Sequence, residues 1–308
     1  DASPLARWGR NVVHTPLLCA FILIGFGYIP MRAASPALAV RICASRNLFI
    51  LNQLVFLTIA GLLVFNFIAL QRRTVLLLSA IGGGLMLGAT VLTLVHGVEI
   101  KGARRWIALP LMSLQPSEFL KPCFAVVTGW LLTRPRSIGP LPGTVIAGGL
   151  YVLIALLLKS QPDIGMLSVI TAVFLAQLFV NGLPLALVGA GVGLMMGGGV
   201  AAFFVFPHVR SRVERFLHPD VGDHYQIDTA MRAFGNGGLL GRGPGAGRVK
   251  DLLPDAHADF VFAVAGEEYG LVVCLLIILV FAMIVVRTLL RLMRENDPFV
   301  IVATAGLV

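Results

Sequence analysis

The feature that most constrains this chain is a succession of apolar runs about 20 residues long, the length of helix that crosses roughly 30 Å of hydrocarbon. Such runs fall near residues 15–31, 49–70, 74–97, 118–133, 142–160, 164–181, 184–206 and 260–286, and another opens near 298. Only 13% of the residues are charged and 57% are hydrophobic. A soluble domain carries about 25% charged residues, so no soluble core could hide this much apolar surface. Barrel strands would be about 10 residues long with strict alternation, which these runs lack. The expected fold class is therefore all-α, a polytopic transmembrane helix bundle with about eight complete spans and the start of a ninth. Residues 1–308 read as a single membrane domain.

The formal charge is +9, and its cations cluster between the apolar runs instead of forming an amphipathic stripe. That pattern argues against nucleic acid and for an anionic membrane surface or an anionic lipid substrate. The first apolar run reads as a retained span, since no cleavable signal precedes it. Cys19, Cys43, Cys123 and Cys274 show no CxxC spacing and read as small buried residues. His218 and His224 lack a cysteine pair or an HExxH context, so no metal site is expected.

Arg72 and Arg73, Arg134 and Arg136, and Arg287, Arg291 and Arg294 lie in alternate short connections. They are expected to share the cytoplasmic side. Two long connections, 98–117 and 207–259, then face outward, the second as a long extracytoplasmic loop. Both are basic as well, and an anionic ligand on that face would account for it. Connections of this length in a compact protein are usually functional.

Three constellations stand out. In the first, Lys101, Arg104 and Arg105 flank Trp106, followed by Gln115-Pro116-Ser117-Glu118 and Lys121. They form either an interfacial anchor or a cradle for lipid phosphate. Ser117 reads as an N-cap, and Glu118 suits the first turn of the helix that follows. In the second, Lys159-Ser160-Gln161-Pro162-Asp163 falls between two spans with almost no linker. It reads as a structural pair or helix break, or as a lining of a polar cavity. In the third, Asn236-Gly237-Gly238 and the glycine-rich run from Gly241 to Gly247 lead to Asp255, His257 and Asp259 before the span opening at Phe260. A nucleotide-binding loop is rejected, because no strand precedes the glycines and no Lys-Ser/Thr follows. Asp259 reads either as a capping carboxylate or as a functional acid at the membrane edge. Glu267 and Glu268, inside an otherwise apolar span, are expected to face the bundle interior or a wet cavity, where a partly desolvated carboxylate can act as a base.

The ordered set KGARRWI, LQPSEFLKP, SQPDIG, YQIDTAMRAFGNGGLLGRGPG and LPDAHADFVFAVAGEE resembles the SEDS family, which includes FtsW, RodA and SpoVE. Ala256 and Asp228 place the pattern nearer the FtsW branch. The resemblance implies a ten-helix fold and a peptidoglycan glycosyltransferase that polymerises lipid II into glycan strands at the division septum. It implies a multi-pass protein of the bacterial cytoplasmic (inner) membrane, working with a class B penicillin-binding protein and other divisome proteins. A lipid II flippase, or a non-catalytic scaffold recruiting the penicillin-binding protein, are the rival readings. By resemblance Asp259 matches the essential loop aspartate, which would deprotonate or orient the attacking sugar hydroxyl. Lys101, Arg104, Arg105, Arg210 and Arg215 would receive the departing pyrophosphate. Glu267, Glu268, His257, Glu118, Lys121 and Asp163 would line or tune the cavity. The resemblance leaves a divalent cation open and names no other cofactor. Ala258 stands where the family commonly has Thr. The sequence ends inside the ninth span at Val308 and does not open on Met, so it is expected to be a fragment or a truncated form.

Overall fold

A computed structural model describes residues 16–27, 46–100, 103–108, 113–134, 142–217, 225–249, 252–253 and 260–308. The helices are α1 (Pro16–Gly27), α2 (Arg46–Ala69), α3 (Arg72–His96), α4 (Pro116–Thr133), α5 (Gly143–Ser160), α6 (Ile164–Val180), α7 (Leu185–Val205), α8 (Pro207–Leu217), α9 (Tyr225–Gly237), α10 (Val261–Leu292) and α11 (Pro298–Leu307). Every apolar run is met by a helix, so the all-α, multi-pass reading holds. Among the described residues α3, α5 and α10 are long and apolar enough to cross a membrane by length and composition, and several shorter apolar helices accompany them.

The two long connections depart from expectation. Residues 98–117 carry a small antiparallel sheet of β1 (Val98–Ile100), β2 (Ala103–Ala108) and β3 (Ser113–Leu114), in that order. Val98 stands opposite Trp106, Ile100 opposite Ala103, and Ile107 opposite Leu114. The stretch 207–259 is not simply a loop, for it contains α8 and α9. Its mixed charge hides helical spacing. Val209 and Val213 recur four residues apart, and Arg210 and Glu214 form an i,i+4 pair at 2.6 Å.

The chain divides into two compact units. One comprises residues 70–205 and 290–308. Its core gathers Leu120, Phe124 and Leu131 of α4, Ile154 and Leu158 of α5, and Ile170 and Phe174 of α6, joined by Val302 of α11. Helix α4 is its hub because it buries more than one face, and its partners are α3, α5, α6 and α11. Buried polar groups stitch the apolar packing together. Gln177 of α6 accepts from Thr128 Oγ1 at 2.6 Å and donates to the carbonyls of Ala125 (2.6 Å) and Val302 (3.3 Å). One side chain therefore ties three helices. In lipid each such bond is worth on the order of 0.6–2 kcal/mol, since apolar contact alone gives helices little reason to prefer one another over acyl chains.

At one end of this unit Arg72 pairs with Asp297, the residue that caps α11 through the N–H of Phe299. Arg72 also lies 4.6 Å from the centre of the Phe299 ring. Arg134, the C-cap of α4, falls at the same end, since Val75, Trp130 and Phe299 share a cluster. The sheet, the end of α3 and the α5–α6 turn lie at the opposite end, where Gln161 donates to the Thr90 carbonyl (3.1 Å) and to Thr93.

The other unit comprises residues 1–69 and 206–289. Ala230 and Ala233 of α9, Val249, Leu253, and Ala263 and Val264 of α10 form its buried cluster, with Phe234 and Phe260 against it. Phe26 of α1 meets Tyr269 edge-on at 6.2 Å. Beyond Gly270, α10 leaves Leu271, Val272, Leu275, Leu276 and Leu279 exposed. Their solvent is lipid, since water would penalise that surface by about 25 cal/mol per Å².

Candidate functional site

Two groups of the expected residues are structured, one in each unit. In the first, β2 alternation sends neighbouring arginines to opposite faces. Arg104 is exposed, while Arg105 turns inward and its Nη1 reaches Asp163 Oδ1 at 3.3 Å. Asp163 is buried and caps α6 by accepting from the Met166 N–H at 3.2 Å. Its charged partner is therefore the distant Arg105 and not Lys159, four residues before it, which is exposed. Arg105 Nε, Asp163 Oδ2 and Gln161 Oε1 are buried and have no hydrogen-bond partner among the described residues. Such atoms favour a polar ligand or water, because an unmet buried polar group costs about 1–3 kcal/mol.

Glu118 and Lys121 meet at 2.7 Å on α4. The expected cap is corrected here. Gln115 is the N-cap, Pro116 occupies the first turn, and Ser117 is buried inside the helix, where its Oγ accepts from Gln115 Nε2 at 3.2 Å. Proline's missing N–H is harmless in a first turn, which shifts the start of the helix to an earlier residue. The sequence marked Gln161 only as part of a motif between two spans and passed over the threonines that hold it. A glutamine beside a proline at a helix end was visible, but its reach to α3 was not.

In the second group Glu267 and Glu268 are fully buried, as expected for acids inside an apolar span. Their place is a break in α10. Gly270 has φ 79° and ψ −179°, a conformation closed to side-chain-bearing residues, and it divides the helix. A break strands carbonyls on one side and N–H groups on the other. The glycine-rich segment after α9 supplies partners to both. Arg242 N–H donates to the Glu267 carbonyl (3.0 Å) and Gly243 N–H to the Glu268 carbonyl (2.9 Å). Leu271 N–H donates to Gly238 O (2.9 Å) and Val272 N–H to Leu239 O (3.3 Å). The Glu267 carboxylate completes the seam. Its Oε2 accepts the Val249 N–H at 2.9 Å, and its Oε1 faces Asn236 Nδ2 at 3.4 Å.

Arg210 is exposed on α8 and engaged with Glu214. Arg215 stands in α8, with its side chain outside the described residues, and Lys101, His257 and Asp259 also lie outside them. Cys19 and Cys274 are buried and Cys123 partly so, while Cys43 is outside the described set. Among the described residues no group of three or more His, Cys, Asp or Glu could hold a metal ion.

The model of the cell cycle protein family of FtsW, RodA and SpoVE matches residues 14–308. A curated relative from Caulobacter vibrioides, named "Probable peptidoglycan glycosyltransferase FtsW", is 36% identical over 100% of this chain and 79% of its own length. The Mycobacterium bovis "Peptidoglycan glycosyltransferase RodA" is 32% identical over 68% of this chain and 48% of its own length. Among solved structures, a chain of a peptidoglycan synthase complex superposes with a TM-score of 0.72 at 24% identity, covering 94% of this chain and 81% of that one. The crystal structure of the Thermus thermophilus rod shape determining protein RodA superposes with a TM-score of 0.60 at 22% identity, covering 95% and 79%. The chain belongs to the FtsW/RodA/SpoVE family, also known as the SEDS family.

Proposed function

We propose that this protein builds septal peptidoglycan by polymerising lipid II at the outer face of the bacterial cytoplasmic membrane. The observation that carries this is the end-to-end match, at 36% identity, to a relative named as a peptidoglycan glycosyltransferase of the FtsW kind. The chain is accordingly a glycosyltransferase of the multi-pass membrane class, and its substrate and residue roles follow as the reading below.

In the reaction the hydroxyl oxygen of an acceptor sugar attacks the anomeric carbon of a donor. A glycosidic C–O bond forms, the bond to the pyrophosphate oxygen breaks, and undecaprenyl pyrophosphate departs with the electron pair. Asp259 takes or orients the hydroxyl proton. Negative charge grows on the leaving oxygen, and cations held in a poorly solvated site stabilise it without reorganising. Arg104, Arg105, Lys101, Arg210 and Arg215 are the cations proposed for it. Arg105 is supported by its position beside Asp163 with Nε still lacking an acceptor among the described residues. Glu118 and Lys121, paired at 2.7 Å, and Asp163 are proposed to line the polar end of that unit. His257, two residues before Asp259, is proposed to tune the cavity.

A class B penicillin-binding protein is the proposed partner. The structural neighbour from a complex that coordinates polymerization and crosslinking supports that pairing. The test is synthesis from labelled lipid II by the purified protein with its penicillin-binding protein. Wild type should yield glycan strands and Asp259→Ala none. Equal synthesis by both would remove Asp259 from the chemistry. Lipid transfer across vesicles without any synthesis would favour a flippase.

A further inference from the structure

We infer that Glu267 is a positioning residue. Its buried carboxylate latches the glycine-rich segment 237–249 to the break in α10, and so fixes where the chain leaves for Asp259 and where it returns. The inference rests on the reading of Asp259 as the catalytic acid, and it names a residue that serves it.

Three observations carry the assignment. First, both Glu267 oxygens face donors, Val249 N–H at 2.9 Å and Asn236 Nδ2 at 3.4 Å, so each oxygen has an N–H to accept. Second, the backbone lies flush against the carboxylate. A Cβ at Gly247 would sit 2.7 Å from Glu267 Oε2 and 3.1 Å from Glu268 Cγ, so the segment reaches Val249 only by passing the acid bare. Third, the two structured flanks of the Asp259 stretch share one cluster. Val249 and Leu253 are buried on the incoming side, and Phe260, Ala263 and Val264 pack with them on the outgoing side. The latch holds the incoming flank at Val249 and belongs, through Glu267, to the helix that carries the outgoing one.

Glu267→Gln keeps the size and an oxygen for Val249 N–H, and the Asn236 amide can rotate to offer Oδ1 to the new N–H₂, whereas Glu267→Ala removes both acceptors. Glu267→Gln alone is therefore expected to be mild. That predicts a specific rescue. Asn236→Asp alone sets two carboxylates face to face. Combining the two substitutions reverses the pair, so that the carboxamide introduced on α10 donates to the carboxylate introduced on α9.

The test uses the full chain with its penicillin-binding protein and labelled lipid II. Glu267→Ala and Asn236→Asp should each lower kcat by on the order of 10–100-fold, the scale of a small misplacement of a catalytic group, with KM changed less than about twofold. The double variant, Glu267→Gln with Asn236→Asp, should return to within about threefold of wild type. A double variant no better than Asn236→Asp, or Glu267→Ala and Asn236→Asp both as active as wild type, overturns the inference. Hydrogen exchange in peptides covering 243–253 gives a readout that needs no activity. It should accelerate in Glu267→Ala and Asn236→Asp and revert in the double variant, and unchanged exchange in Glu267→Ala overturns the latch. Failure of wild type to make glycan would sink the functional reading instead, leaving the exchange measurement to judge the latch.

Discussion

Asp163 does two things with one buried carboxylate. Its Oδ1 caps α6 through Met166 N–H and also meets Arg105 Nη1, at 3.2 and 3.3 Å. The two roles are separable. Asparagine keeps an oxygen for the cap and loses the charge, whereas alanine loses both. Arg105→Leu, in contrast, leaves the acid buried beside apolar neighbours. Removing one partner of a buried pair costs about 3–5 kcal/mol, and the lower end applies because a quarter of the Arg105 side chain is exposed (25%). Combining Arg105→Leu with Asp163→Asn removes the lone charge. It should recover about 1–2 kcal/mol relative to Arg105→Leu alone, and Asp163→Ala should be about 1 kcal/mol less stable than Asp163→Asn. Reversible unfolding of the purified protein in detergent measures all four. Strictly additive losses would mean that the pair carries no coupling.

At the scale of elements, the break in α10 organises the contacts of the glycine-rich segment that follows α9. Gly270 needs positive φ, and a Cβ there would lie 2.7 Å from the Leu239 carbonyl carbon. Gly238 also has positive φ, at 57°, but a Cβ there would meet nothing within 4 Å. The two glycines separate conformational strain from collision. Gly238→Ala should cost about 1–2 kcal/mol. Gly270→Ala should cost upward of about 3 kcal/mol, since backbone cannot move aside as a side chain can. Equal losses in detergent unfolding would show that the seam has slack. The sequence made α10 legible as a span, and it marked Glu267 and Glu268 as inward because two acids cannot face lipid. The break itself was illegible. Hydropathy reads straight through Gly270, and what makes the break tolerable is a set of N–H and C=O partners far off in the chain. The same limit explains Gln177. A lone glutamine in an apolar helix signals a buried partner, but not that it joins α4 to α11. Helices α8 and α9 were missed for a different reason, because dense charge and glycine obscured an amphipathic spacing. At the site, the residue types and their order were visible, whereas the Arg105–Asp163 pairing required the sheet to turn one arginine inward.

For the whole molecule, the open question is which way the bundle sits in the membrane, and the unit formed by residues 70–205 and 290–308 supplies a physical answer. Its two ends differ in how their cations are placed along the chain. Arg72 and Arg134 open or close helices at one end, and Arg291 and Arg294 precede Asp297 there. They stand in or beside short connections, where the bias of Lys and Arg sets orientation. At the other end Arg105 and Lys121 are matched to Asp163 and Glu118 at 3.3 and 2.7 Å. Arg72 at the first end is paired as well, with Asp297, so the signal rests on Arg73, Arg134, Arg291 and Arg294 there. The basic end should therefore face the cytoplasm, and the sheet with the α5–α6 turn should face outward, where the proposed lipid-linked sugar is polymerised. Single cysteines at two exposed positions test this in a background lacking Cys19, Cys43, Cys123 and Cys274. Ser113→Cys, on β3, should react with a membrane-impermeant maleimide on intact spheroplasts. Arg73→Cys, at the start of α3, should react only after permeabilisation. The reverse pattern would turn the site toward the cytoplasm and leave the outward-facing polymerase without its acidic and basic groups.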